Sequence, residues 1–309
     1  SFFDMKGVIM SFVIFTDSAS NLTKDLLDQY DLHMLSYYST IDGQDYLCYD
    51  ENRDYEEAGR KFYDDMRNGS DIRTSLINSS MFLDAFEPFL KEGKDLMFIG
   101  ISSGLSGTVQ AASIAADELS DTYPERKVII IDSMGASLGE GLMVIKMAEM
   151  RTMGCTIEEA ASYYEYNKMK MNHIFTVGDL QYLKRGGRIS AAEAAIGNLL
   201  SIKPILKADD NGKIIVHDKV RSRRRALDAL ITLLCNRIIN PSSQVIGIVH
   251  CDAPLEAEYV ATEIKKALPV KDIIVRYYDL CTGAHVGPGT IALFFMGENR
   301  MGCAKSEAI

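Results

Sequence analysis

The octapeptide Ile101-Ser102-Ser103-Gly104-Leu105-Ser106-Gly107-Thr108 gathers four hydroxyl side chains into one short stretch. It follows the apolar run Leu96-Met97-Phe98-Ile99-Gly100, which reads as a buried strand. Val109, Ala112, Ala116 and Leu119 come after it, spaced as one face of a helix. A Gly/Ser-rich turn in that position aims backbone N–H groups, and the positive end of the helix dipole, at whatever lies above it. No strong base or metal ligand stands in the turn. Its chemistry is that of holding an anion, without means of cleaving one.

The elements around the turn read as alternating strands and helices. Phe12-Val13-Ile14-Phe15 is a short apolar run ending at Asp17-Ser18, with a helix over 22–30 behind it. Residues 34–39 are strand-like and 41–44 form a turn. Helices are expected over 55–66, 80–91, 108–119 and 138–152, and strands over 96–101 and 128–131. Strands separated by helices pair in parallel, and ligands in such sheets sit at the carboxyl ends of the strands. Asp17-Ser18, Ser102-Ser103 and Asp132-Ser133 therefore converge on one rim.

The second half has a different pattern. A helix over 157–167, a strand over 173–177 and a short helix over 178–183 precede the break Lys184-Arg185-Gly186-Gly187-Arg188 and a segment over 190–200. Two apolar runs flank Asp210-Asn211-Gly212, a hairpin signal. Helices over 224–239 and 254–268 then alternate with strands over 245–250, 273–278 and 290–295. The expected fold class is α/β. An N-terminal domain (1–160) has a parallel sheet flanked by helices, and a C-terminal α+β domain (161–309) has a mixed sheet.

With 47% hydrophobic and 25% charged residues in 309, the chain has the makings of a globular core. Its net charge of −10 argues against general nucleic-acid or anionic-membrane binding. No run approaches the roughly 18 apolar residues of a membrane span, and the first residues lack the shape of a secretory signal. Met10 reads as a natural start, with an extension before it. The six cysteines are scattered without a C-x-x-C pair, which reads as reduced thiols in the cytoplasm and gives no metal site.

Four landmarks, in order, resemble the DegV family of bacterial fatty-acid-binding proteins. They are Phe15-Thr16-Asp17-Ser18, Arg73-Thr74-Ser75, the turn from Ser102 to Thr108, and Gly283-Ala284-His285-Val286-Gly287-Pro288-Gly289-Thr290. The segments 182–189 and 197–204 are similar to family segments as well. The resemblance implies two α/β domains with a long-chain fatty acid in the crevice between them, its carboxylate held by Thr74 and Ser106. It also implies a non-catalytic role without a cofactor, in which the bound acid is presented to a separate kinase that makes an acyl phosphate for phospholipid synthesis. Relatives continue Thr-Ser-Gln-Pro where this chain has Thr74-Ser75-Leu76-Ile77, which bears on the loop shape and the preferred acyl chain.

Physical chemistry divides the task in two. Burying a tail of about 16 carbons at roughly 0.8 kcal/mol per CH₂ supplies on the order of 12 kcal/mol before ordering costs. Desolvating the carboxylate costs several kcal/mol unless donors replace its water. Ser106 is alternatively a plain helix cap, and Thr74 a plain loop threonine. His285, Ser103 and Asp17 are supporting candidates: His285 as a donor near the carboxylate or the incoming phosphoryl group, Asp17 as a helix cap or as an orienter of the rim hydroxyls. His33, His173, His217 and His250 read as structural. Arg185, Arg188 and Arg221 are candidates for docking the kinase or steadying its phosphates.

Three rival readings stay open at this level. Ser106, His285 and Asp17 can be read as a serine-hydrolase triad, although Thr108 stands where a nucleophile elbow has glycine. A phosphate-sugar or nucleotide site on the same turn lacks both G-x-G-x-x-G and a Gly-Lys-[Ser/Thr] loop. An interaction module with an empty crevice is the third.

Overall fold

The structure is a computed structural model that describes residues 12–195 and 202–300. Met10, residues 197–201 and Cys303, singled out above, lie outside the described residues. From β1 (Val13–Asp17) the chain passes through α1 (Lys24–Gln29) to β2 (Leu32–Leu35), then folds a hairpin of β3 (Tyr38–Ile41) and β4 (Gln44–Leu47). Helix α2 (Tyr55–Arg67) leads to β5 (Ile72–Ser75), and α3 (Ser79–Lys91) to β6 (Leu96–Gly100). Then come α4 (Thr108–Thr122), β7 (Val128–Asp132), α5 (Leu138–Thr152) and α6 (Ile157–Asn167). The second half runs β8 (Met171–Thr176), α7 (Gln181–Arg185), α8 (Ala191–Ala194), β9 (Ile202–Ala208), β10 (Ile214–Arg221) and α9 (Arg223–Arg237). It finishes with β11 (Val245–His250), α10 (Pro254–Ala267), β12 (Asp272–Tyr277), α11 (Leu280–Val286) and β13 (Ile291–Met296).

The fold is mixed α/β, as expected. A parallel sheet of order β2-β1-β6-β7 forms the first half, and a mixed sheet of order β10-β9-β8-β13-β11-β12 the second. Strands β1 and β6 are buried at every position, which is why they appear in sequence as unbroken apolar runs rather than alternating ones. In the second sheet only β11 and β12 pair in parallel, joined by α10 as a crossover; the other pairs are antiparallel.

Helix α5 is the plate between the two sheets. It packs against β1 and β6 on one side and β8, β11 and β13 on the other. Its buried residues cover most of its circumference, from Leu138 through Val144 to Ala148, leaving a stripe through Lys146 and Glu149 open to solvent. Glycine is needed where it meets the second sheet: a Cβ on Gly139 would stand 2.2 Å from His173 Cε1. One apolar core consequently runs through both halves, from Ile14 and Phe98 to Phe175 and Phe294. A second core seats α9 and α10 on the outer face of the mixed sheet, through Leu230, Ile248 and Val260 among others.

Several elements depart from the sequence reading. The strand expected over 34–39 is two strands, β2 ending at Leu35 in the parallel sheet and β3 beginning at Tyr38 in another, and β4 has no counterpart in that reading. Arg73-Thr74-Ser75 is not a loop: it belongs to β5, which pairs with β3 in a small antiparallel sheet of order β4-β3-β5. His285, beside a Gly-Pro-Gly that reads in sequence as a turn, is on a helix, α11, which Asp279 caps by accepting from Thr282 N at 2.7 Å.

Candidate functional site

The turn after β6 is held from inside. Ser102 N donates to Gly135 O (2.8 Å), Ser103 N to Asp132 Oδ1 (3.1 Å), and Gly104 N to Ser102 Oγ (3.1 Å). Leu105 N and Ser106 N both donate to Ser102 O, at 2.9 and 3.1 Å. The expectation of free amides on this turn is thereby corrected, because these five are engaged within the protein. The groups left to meet a ligand are hydroxyls, the N–H of Gly107, which lines the cavity, and the field of the α4 terminus. The cap position of α4 belongs to Gly107, but Ser106 Oγ accepts from Thr108 N (3.4 Å), the first amide of the helix, and lies 3.0 Å from Thr108 Oγ1.

The second half closes on this turn twice. The Asp210-Asn211-Gly212 hairpin brings Gly212 O to Ser102 Oγ (2.9 Å). A Cβ on Gly104 would stand 2.6 Å from Asn211 O, so only glycine admits that approach. From the other side, Arg188 Nε and Nη2 donate to Leu105 O at 3.2 and 3.0 Å.

Between the halves lies a cavity of about 450 Å³, within the range of small-molecule sites. Thr74, Ser103, Ser106 and His285 all open on it. Most of the remaining wall is apolar and comes from both halves, including Ile101, Phe175, Leu183, Ala208, Val286 and Phe294. Thr74 Oγ1 and His285 Nε2 are 2.8 Å apart. Burial, and then the nearby positive charge of Arg188, holds the His285 pKa down at about 4, so the ring is neutral at pH 7. His173, read from sequence as purely structural, also lines the cavity. Burial keeps it uncharged, with its pKa lowered to about 3.

Asp17 is fully buried beneath the turn. Its Oδ2 accepts from Ile101 N (2.9 Å) and lies 3.2 Å from the Tyr37 hydroxyl, and its Oδ1 accepts from Ala19 N (2.9 Å). The sequence rim is therefore real: the carboxylate ending β1 is bonded to the chain leaving β6, and the one ending β7 to Ser103. Tyr37, which sequence reasoning passed over, bridges Asp17 to Thr108 through a 2.7 Å contact. Nothing in the Tyr37-Tyr38 pair singles Tyr37 out for that role. Asp17, His285 and Ser106 do not form the chain that a hydrolase triad requires. His285 is bonded to Thr74, Asp17 to backbone amides and Tyr37, and Ser106 to Thr108.

Beyond Thr74 and His285, on the side away from the apolar wall, a polar groove of about 750 Å³ is lined by Arg67, Arg73, Arg185 and Arg188 among others. Arg67 is paired with Asp64 and Asp252, and Arg73 with Asp71. Arg185 is exposed and lies over the Tyr182 ring, 4.6 Å from its centroid. Arg221 is exposed at the end of β10, roughly 20 Å along the strand from the cavity residue Ile214. Arg188 differs from the other two in reaching inward to the turn.

A family model described as "Uncharacterised protein, DegV family COG1307" matches residues 11–298. The chain belongs to the DegV family. A DegV domain-containing protein of Clostridium perfringens is 42% identical over 289 residues, covering 94% of this chain and 98% of its own. Among solved DegV structures, a lipid-binding protein from Thermotoga maritima superposes with a TM-score of 0.81 at 28% identity, covering 94% of this chain and all of its own. A fatty-acid-binding DegV protein from Thermus thermophilus matches with a TM-score of 0.81 at 26% identity, covering 92% of this chain and 99% of its own. Among the described residues, no cluster of three or more His, Cys, Asp or Glu side chains is placed to hold a metal, and no helix is long and apolar enough to cross a membrane.

The Arg188 contact makes a definite expectation. Arg188→Ala orphans the Leu105 carbonyl, which costs of order 1–2 kcal/mol, and frees the turn that carries Ser106. Affinity for the cavity's ligand falls about tenfold in a fluorescence titration. Lysine, lacking the planar fork that reaches one carbonyl from two nitrogens, does not restore it. Arg185→Ala leaves the same affinity unchanged.

Proposed function

We propose that this protein binds a long-chain fatty acid in the cavity between its halves and presents the carboxylate to a partner kinase for acyl-phosphate formation. The observation that carries the reading is that Thr74, on β5 of the small sheet, and Ser106, in the turn after β6, open on one mostly apolar cavity. A carboxylate there meets hydroxyl donors while its tail is enclosed by aliphatic and aromatic side chains. With the imidazole proton on Nε2, neutral His285 donates to Thr74 Oγ1 and leaves the threonine O–H for the ligand. Arg188 adds a positive charge nearby, with no carboxylate partner among the described residues. The separate engagements of Ser106 and His285 favour holding an acid over acyl transfer, so the protein acts as a carrier and needs no cofactor. Arg185 on the polar groove beside Thr74, and Arg221 further out, are the residues assigned to docking the kinase in the cytoplasm.

Organic extraction and mass spectrometry of the purified protein tests the first part. A fatty acid near one equivalent is expected, and protein that neither carries nor takes up any acid refutes the reading. Reconstitution with a fatty acid kinase and ATP tests the second. Arg185→Ala and Arg221→Ala should keep the lipid and lose acyl-phosphate formation; equal loss of both properties removes the docking assignment.

A further inference from the structure

Beneath Ser106 runs an unbroken line of oxygen atoms ending at a buried carboxyl. Ser106 Oγ is 3.0 Å from Thr108 Oγ1, Thr108 Oγ1 is 2.7 Å from the Tyr37 hydroxyl, and that hydroxyl is 3.2 Å from Asp17 Oδ2. Thr108 and Asp17 are fully buried and Tyr37 nearly so. Each hydroxyl owns one proton and can donate once. The direction of every bond in the line is therefore fixed by its terminus, and Asp17 is the one member that can change its proton count near neutral pH.

We propose that Asp17 is a positioning residue that sets whether Ser106 donates to or accepts from the ligand, through Tyr37 and Thr108. When Asp17 carries a proton it donates to Tyr37, Tyr37 donates to Thr108, Thr108 donates to Ser106, and the Ser106 O–H points into the cavity. When Asp17 is ionised it draws the Tyr37 proton, the line reverses, and Ser106 turns its proton toward Thr108. Thr108 N keeps one of its lone pairs in either state, so Ser106 then presents the other to the cavity, which suits a carboxylate poorly. The backbone bonds from Ile101 and Ala19 to Asp17 persist in either state, so reversal needs only rotation of hydroxyl protons.

The surroundings favour the donating state. Burial pushes the Asp17 pKa up to about 7, against the lowering effect of its bonds from Ile101, Ala19 and Tyr37. The other titratable groups coupled to it are Tyr37, Glu140 on α5, Asp279 before α11 and Cys281 on α11. All of these are acids, and both carboxyls are raised by burial, Asp279 to about 7 and Glu140 well above its ordinary value. A carboxylate bound above them favours the protonated form of Asp17 further, so binding above neutral pH takes up a proton.

This inference rests on the reading of Ser106 as a carboxylate ligand, and the test separates the two. Dodecanoate and 1-dodecanol are titrated between pH 6 and 9 against the full chain, its Thr108→Val variant and its Tyr37→Phe variant. Dodecanol has a hydroxyl that can donate or accept, so it is indifferent to the direction of the line and reports that each variant is folded. For the wild type, dodecanoate affinity should fall toward tenfold per pH unit above pH 7, with up to one proton taken up in calorimetry across two buffers. Dodecanol should stay flat. Thr108→Val cuts the line without touching Asp17, and its dodecanoate affinity should be nearly pH-independent; Tyr37→Phe should behave alike. If Thr108→Val keeps the wild-type slope, Asp17 acts by direct charge repulsion and the relay is refuted. A flat wild-type profile refutes it too, while failure to bind dodecanoate at any pH refutes the underlying reading instead.

Discussion

The double substitution Thr74→Ala, Ser106→Ala should weaken binding of a 16-carbon acid about 100-fold without abolishing it. Hydrogen bonds to a charged group contribute about 1.5–3 kcal/mol each. Two would give more than that factor if they added fully, but water entering from the neighbouring polar groove restores part of the loss. The tail, at roughly 0.8 kcal/mol per CH₂, keeps enough binding free energy for the residual affinity to be measured. Each single substitution should cost less than half as much on the logarithmic scale, since the surviving hydroxyl still meets the carboxylate. Calorimetric or fluorescence titration with palmitate reads the effect. Unchanged affinity in the double variant would remove the head group from this pair of hydroxyls altogether.

Ala208→Phe should act on the space the ligand's tail can fill. Ala208 is buried at the end of β9, opens on the cavity and pairs with Ile214 across the hairpin. An aromatic ring is well tolerated in a strand, so the added volume is taken from the ligand's space rather than from the fold. Exclusion of four methylenes costs about 3 kcal/mol, or somewhat more than 100-fold. The 16-carbon acid should lose that much, while a 10-carbon acid, whose tail ends sooner, should lose only a fewfold. Competition between the two acids measures the shift. Parallel losses would show that the tail does not reach Ala208.

How far the sequence foretold this arrangement depended on how local each signal was. Strands β1 and β6 were legible because both faces are buried, leaving apolar runs bounded by polar rim residues. The hairpin over 210–212 was legible from its turn chemistry alone. Strand β5 was not: Ile72-Arg73-Thr74-Ser75 is short and polar, alternates between half-buried and exposed positions, and becomes a strand only because β3 offers it a partner. Helix α11 was hidden by its small residues and by the Gly-Pro-Gly that follows. The four hydroxyls of the turn could be seen at once, but not that its amides from Ser102 to Ser106 are turned inward. Nor could the line through Tyr37 be seen, since three elements of the first half must fold before Asp17, Tyr37 and Thr108 meet.

The same dependence makes the pocket indivisible. The turn bearing Ser106 is gripped by Gly212 on one side and Arg188 on the other, both supplied by chain that follows β8. A fragment truncated before β8 would retain Thr74, Ser106, Asp17 and Tyr37 in its sequence, yet lack the two clamps that fix the loop's shape and half of the wall around the tail. Grafting the octapeptide onto another sheet would transplant its letters without its function. What is inherited here as a motif works only as a joint property of the whole polypeptide.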